Sequence, residues 1–133
     1  MKSPNCTGAI IVRNNKVLMG AREYTKDSPL WVFPGGRCED GESLETALRR
    51  EVAEEIGVTD FTIVKELGMK VGLYTTEAGH DQVFLYACTT DQEPRMMEPE
   101  KFTEWQWFAL DELPKNLLDQ RDREFIAQAL LVS

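Results

Sequence analysis

The sequence is poor in the residues that build many familiar sites. It holds one histidine, His80, and three cysteines, Cys6, Cys38 and Cys88, in 133 residues. A lone histidine in a polar stretch is expected to do nothing catalytic. Three cysteines, odd in number and far apart, match neither a disulfide framework nor a zinc pattern, so a reducing cytoplasm is the expected compartment. Long apolar runs are missing too. Ala9 to Val12 is far too short for a signal or membrane segment, which argues against a membrane partner. Basic residues are outnumbered, 15 Lys and Arg against 23 Asp and Glu, for a net charge of −8. No continuous basic stripe can be drawn, so a nucleic-acid surface is not expected. No repeat or low-complexity segment occurs. A chain of this length reads as one domain, residues 1–133, with a single core.

What the chain has in quantity is carboxylate, and it is unevenly placed. With Leu44 at zero on a helical wheel, Leu48, Val52 and Ile56 fall at ~40°, ~80° and ~120°, one apolar stripe facing a core. Glu51, Glu54 and Glu55 fall at about −20°, −80° and 20°. Two of the three overlap the buried stripe, whereas a solvated face would set its glutamates opposite the leucines. Acids crowded there repel one another unless a positive partner sits among them, and a divalent cation suits oxygen ligands. Glu45, Arg49 and Glu39 suit ordinary solvent exposure. Arg50 pairs with Glu54 at i, i+4 spacing or reaches back to Glu42, and so can hold the acidic face in one geometry.

The residues around this helix also carry information. Trp31 to Phe33 reads as a short strand, Pro34-Gly35-Gly36 as a turn and Asp40 to Ser43 as a second turn, with Ser43 as N-cap and Gly57 as C-cap. Glycines let the backbone approach a ligand closely and leave amides and carbonyls free to face metal or phosphate. Cys38, between the turns, reads as a small turn residue.

Gly36, Glu42, Arg50-Glu51, Glu54-Glu55 and Gly57, with aliphatic Val52 and Val58, stand at the spacing of the Nudix box, and every specified position matches. At background frequencies such a match arises by chance on the order of 10⁻¹⁰ per starting position. The chain thus resembles the Nudix hydrolase family. The likeness is specific within the box and looser outside it, from the first strands to Glu104-Trp105-Gln106-Trp107 and Leu113-Pro114. The resemblance implies hydrolysis of a nucleoside diphosphate linked to another group, by metal-assisted attack of water on phosphorus. It implies that Glu51, Glu54 and Glu55 bind the divalent ions with the main-chain carbonyl of Gly36, and that Glu42 and Arg50 orient them. A carboxylate also takes the proton from water; Glu54 is the residue chosen here. Hard oxygen ligands select magnesium, with manganese able to substitute. A small metal-bound nucleotide escapes the charge objection raised against nucleic acid.

The rest of the chain reads as strands over Cys6–Arg13 and Lys16–Arg22 about an Asn14-Asn15 turn, a polar loop from Tyr24 to Leu30, and strands over Phe61–Tyr74 and Gln82–Thr89. A loop over Asp91–Thr103, a strand over Glu104–Phe108 and a helix over Gln120–Leu131 follow. The fold class expected is α/β, a mixed β-sheet between helices, and the resemblance implies the same α/β/α sandwich.

Substrate choice must come from outside the box. Relatives of the MutT type use an arginine at the position of Arg22 toward the nucleotide, and a loop glutamate as an additional metal ligand or base, for which Glu98 and Glu100 both qualify. Phe33 and Gly35 are further substrate-side residues, and Phe33, Tyr74, Phe84 and Trp107 are aromatics able to stack on a base. Trp105 and Trp107 are expected on opposite strand faces. Asn116 is left without a role. The expected reaction is conversion of a nucleoside triphosphate to its monophosphate and pyrophosphate. ADP-ribose is weakened by the lack of proline between Gly57 and Glu93. Tyr74 keeps dinucleoside polyphosphates in view, and nucleotide sugars belong to the same set of alternatives. A non-catalytic nucleotide-binding module is a further alternative, though such modules generally lose box carboxylates. A homodimer is common among relatives, but nothing in the sequence demands one.

Overall fold

The computed structural model describes residues 3–24, 29–76 and 79–133, except the side chains of residues 74–76. Its elements are β1 (Asn5–Arg13), β2 (Lys16–Glu23), β3 (Pro29–Val32), α1 (Leu44–Ile56), β4 (Thr62–Thr76), β5 (Gly79–Thr89), β6 (Phe102–Phe108), a short 3-10 turn (Leu110–Glu112) and α2 (Asp122–Val132).

The six strands form one mixed sheet. β1 lies parallel to β5 over Asn5–Ile11, and β4 closes that side antiparallel to β5. β1 and β2 meet only at their hairpin end, Val12 opposite Val17, across a turn in which Asn14 and Asn15 both take left-handed φ. Asparagine tolerates that conformation, and the turn's twist matches a hairpin. Beyond the hairpin β1 and β2 part. β2 carries β6 along one edge and β3 on the other.

Helices cover both faces, as an α/β/α sandwich requires. Ala9 and Ile11 of β1 pack with Leu48, Val52 and Ile56 of α1, while Ile10 and Val12 pack with Ile126 and Ala129 of α2. A strand buried on both faces must be apolar at every position, which explains the unbroken run Ala9–Val12. Leu48, Val52 and Ile56 are fully buried, each stabilising the fold by about 1.5–3 kcal/mol. Ser43 caps α1 by accepting from the Thr46 amide, and Gly57, at φ 69°, ends it through its own amide on Ala53 O. Among the described residues no helix is long and apolar enough to cross a membrane, and all three cysteines are free.

Several boundaries differ from the sequence reading. β3 starts at Pro29, opposite Glu23, and ends at Val32, opposite Gly20, and its Trp31 also exchanges backbone hydrogen bonds with Asn116 and Leu118. β4 and β5 run further than the sequence suggests, with Thr75 opposite His80 and Thr76 opposite Gly79. β6 begins at Phe102, which pairs with Arg22. Helix α2 begins at Asp122. Trp105 and Trp107, expected on opposite faces, are two residues apart in a strand and therefore share one; both pack against the core beneath α1. Phe84 lies in the same core, and the Tyr74 side chain falls outside the described residues. Asn116 is structural, its side-chain amide donating to Pro29 O.

Candidate active site

Where β1 and β2 part, the chain following β3 fills the free edge of β1. The Ala9 amide donates to Pro34 O, the Thr7 amide to Gly36 O and the Cys38 amide to Asn5 O, each at 2.8 Å. Alternate residues of this segment therefore face β1, and those between them, Gly35 and Arg37, face helix α1. The Gly35 amide donates to Glu55 Oε1 at 2.8 Å, and Arg37 O accepts from Arg50 at 3.1 Å. Gly35 is irreplaceable on two counts: its φ is 149°, and a Cβ would lie 2.2 Å from Thr7 O.

This register decides where the Gly36 carbonyl, expected among the metal ligands, points. Gly36 O does not face the acidic cluster; it accepts from both the Thr7 amide and Thr7 Oγ1. On the helix side the main-chain contacts are those of the Gly35 amide with Glu55 and of Arg37 O with Arg50. Gly36 serves otherwise: a Cβ there would sit 2.6 Å from Glu51 Cδ, so its bareness makes room for that carboxylate.

Arg50 is the hub of the acidic face. Its guanidinium donates to both oxygens of Glu42, at 2.8 and 2.9 Å, and to Glu51 Oε1 at 2.9 Å, and lies 3.4 Å from Glu54. A planar fork is what such a multidentate arrangement needs. The bonds from Arg50, with help from the Glu39 amide, hold the Glu42 carboxyl down at about 2.

The three carboxylates of the box sit in different surroundings. Glu55 is 4% exposed and makes no ion pair among the described residues. Burial pushes its carboxyl up to about 8 despite the Gly35 amide, and the charges of Glu51 and Glu98 add to the rise. Burial raises Glu51 too, with Arg50 opposing. Glu54, by contrast, has a side chain 52% exposed and stands outside the cleft lining. Nearby, Glu98 gives one oxygen to Lys101 at 3.2 Å, while its Oε1 is buried without a hydrogen-bond partner. As arranged, Glu51 leans to Arg50 and Glu55 to Gly35, and no three His, Cys, Asp or Glu side chains among the described residues stand close enough to share an ion.

A cleft of about 450 Å³ opens in front of Glu51 and Glu55. Arg22, Phe33, Gly35 and Gly36 line it, together with Lys101, Phe102 and Leu118. The Arg22 guanidinium lies over the Tyr24 and Phe102 rings, 4.9 and 5.8 Å from their centroids. Glu100 is not brought to the site: it stands exposed on the turn before β6. Sequence reasoning missed the buried ion pairs at the cleft's other walls. Arg37 grips buried Asp81 with two 2.8 Å bonds, and Lys70 joins Asp119 and Asp122. Residues 119 and 122 flank the start of α2, where acids commonly meet free helix amides, and that spacing is the one signal the sequence holds.

A family model described as NUDIX domain matches residues 2–129. An RNA pyrophosphohydrolase of Caulobacter vibrioides is 31% identical over 131 residues, covering 84% of this chain and 74% of that protein. An oxidized purine nucleoside triphosphate hydrolase of Danio rerio is 30% identical over 108 residues, covering 81% and 67%. The crystal structure of a MutT NUDIX hydrolase from Burkholderia pseudomallei matches with a TM-score of 0.73 at 28% identity, over 96% of this chain and 95% of that one.

Proposed function

The chain belongs to the NUDIX family, as a pyrophosphohydrolase of nucleotides, and from that premise we propose that it cleaves a nucleoside triphosphate, standard or modified, to the monophosphate and pyrophosphate. The observation carrying this reading is Glu55, a buried carboxyl whose one hydrogen bond comes from a backbone amide and which feels the charges of partly buried Glu51 and of Glu98, itself left with an orphan oxygen. Carboxyls so crowded and buried hold protons unless a cation from outside the chain joins them, and they suit such a cation.

The donors fit magnesium. Glu51, Glu54, Glu55 and the main-chain oxygens of the Gly35-Gly36 turn are all hard donors, which rotation of the glutamate side chains would gather about an ion. Bound magnesium, or manganese in its place, supplies neutralisation of phosphate charge, polarisation of a phosphoryl oxygen and activation of water. The chain's own part is positional. Arg50 and Glu42 fix Glu51. Glu54, the box carboxylate open to solvent, accepts the proton of the attacking water. Arg22 meets phosphate, and Phe33 with Phe102 offers the cleft an apolar wall.

Pyrophosphate release with magnesium, measured over standard and oxidised nucleoside triphosphates, dinucleoside polyphosphates, nucleotide sugars and ADP-ribose, tests the reading. Turnover of a triphosphate to monophosphate and pyrophosphate is expected. Failure on every triphosphate with clear turnover elsewhere sinks the substrate claim. RNA belongs in the same panel, because a relative is named for that substrate and a net charge of −8 argues only against a long basic track.

A further inference from the structure

Among the described residues four cations line the cleft: Arg22, Arg37, Lys70 and Lys101. Two are committed. Arg37 is bound by both oxygens of buried Asp81, and Lys70 is held between buried Asp119 and Asp122. Arg22 rests on aromatic rings and is the expected phosphate ligand. Lys101 is the remaining one, and neither the box nor the reading above gives it work.

Its setting differs from that of the other three. The Lys101 ammonium has a single carboxylate partner, Glu98 at 3.2 Å, and its side chain is 47% exposed. An isolated ion pair so open to water is weak, and a more highly charged anion displaces it readily. The backbone beneath is fixed: the Lys101 and Phe102 amides both donate to Glu98 O, and Lys101 O accepts from the Glu23 amide. Phe102, next in sequence, is buried and paired to Arg22. Lys101 is thus a long, half-exposed side chain on a hydrogen-bonded turn, one residue before the strand that pairs with Arg22. Its charge is felt at Glu51 across the cleft.

We propose that Lys101 is a polyphosphate-binding residue, whose ammonium leaves Glu98 for a phosphate oxygen at the pyrophosphate end of the substrate. The inference rests on the triphosphate reading given above. It also assigns a role to the turn: binding phosphate at Lys101 frees the Glu98 carboxylate, whose other oxygen already lies buried and unpartnered beside Glu55. Substrate entry and completion of the acidic cluster become one event.

Calorimetric titration of the full chain with inorganic tripolyphosphate in magnesium, and separately with a nucleoside monophosphate, tests this in the parent, Lys101→Met and Lys101→Arg proteins. Loss of one charge-assisted contact should weaken tripolyphosphate binding roughly tenfold in Lys101→Met. Lys101→Arg should restore most of it, and monophosphate affinity should stay within about twofold of the parent. Unchanged tripolyphosphate binding in Lys101→Met, or an equal loss for the monophosphate, overturns the assignment. Should the parent cleave no nucleoside triphosphate while tripolyphosphate binding still depends on Lys101, the substrate reading fails and this one stands.

Discussion

The Glu51 carboxylate occupies the space that a side chain on Gly36 would fill, with only 2.6 Å between Glu51 Cδ and the place of a Cβ. Gly36 has no left-handed φ, so alanine costs it nothing in backbone strain. Gly36→Ala is therefore expected to fold normally while pushing Glu51 aside. A displacement of about 1 Å at a reacting centre costs roughly 10²-fold in rate. Steady-state assay beside a thermal melt checks this, and a variant with parental activity would remove Glu51 from the site.

Arg50→Lys keeps the charge and loses the fork. A single ammonium cannot bond both oxygens of Glu42, Glu51 and Arg37 O together. Stability should fall by about 2 kcal/mol, the scale of one or two charge-assisted bonds, and kcat should fall with it. Urea denaturation and initial rates, measured on one preparation, decide the matter; parental values for both would mean that the fork is dispensable.

Glu54→Gln separates chemistry from folding. The side chain is half exposed and its contact with Arg50 is long, at 3.4 Å, so its amide should leave stability within about 0.5 kcal/mol. Loss of a proton acceptor should lower kcat by about 10²–10⁴-fold with nucleotide binding retained. Hydrolysis at the parental rate would contradict the role given to Glu54.

The pH dependence of stability has a definite sign. Glu55 is raised in the fold from an ordinary 4.5 to about 8, and Glu51 moves in the same direction. Between those values the folded chain holds more protons than the unfolded one, so ion-free protein should lose stability as pH rises from about 5 to 8. The slope from Glu55 reaches at most about 1.4 kcal/mol per pH unit. Glu42 acts oppositely at the acid end, its contribution present above 4.5 and lost as pH falls through about 2. Magnesium favours the ionised carboxylates, so it should raise the melting temperature more at pH 8 than at pH 5. Melts in chelator and in magnesium across that range test the claim, and a chelated protein more stable at pH 8 than at pH 5 would refute it.

The helix and its acidic face were legible because Leu48, Val52 and Ile56 keep a 3.6-residue period, and because Glu51 and Glu55 break the rule that charge avoids such a stripe. The strand order was much less so. That β1 lies parallel to β5 depends on contacts some seventy residues apart, and the bonds of Trp31 to the Asn116 and Leu118 backbone reach further still along the chain. The direction of the Gly36 carbonyl was hidden for a related reason. Which carbonyl of a Gly-Gly pair faces the acids is set by pairing with Thr7, and a one-residue change of register turns every group to the other side. The partners of Lys70 and Arg37 were invisible because burial of Asp81, Asp119 and Asp122 is a tertiary fact. Glu98 and Glu100 looked equivalent in sequence, and only the turn distinguishes them.

The segment from Pro34 to Cys38 borrows the free edge of β1. Its amide at Cys38, and those of Thr7 and Ala9 opposite, can trade hydrogen for solvent deuterium only when the central strand itself lets go. A loop that carries chemistry is ordinarily among the first parts of a protein to breathe; this one should be among the last. The same lock runs in reverse, since a cavity cut under Ile10 or Val52 loosens the strand on which the glycines hang, so damage to the core can be felt as lost turnover before the fold is lost.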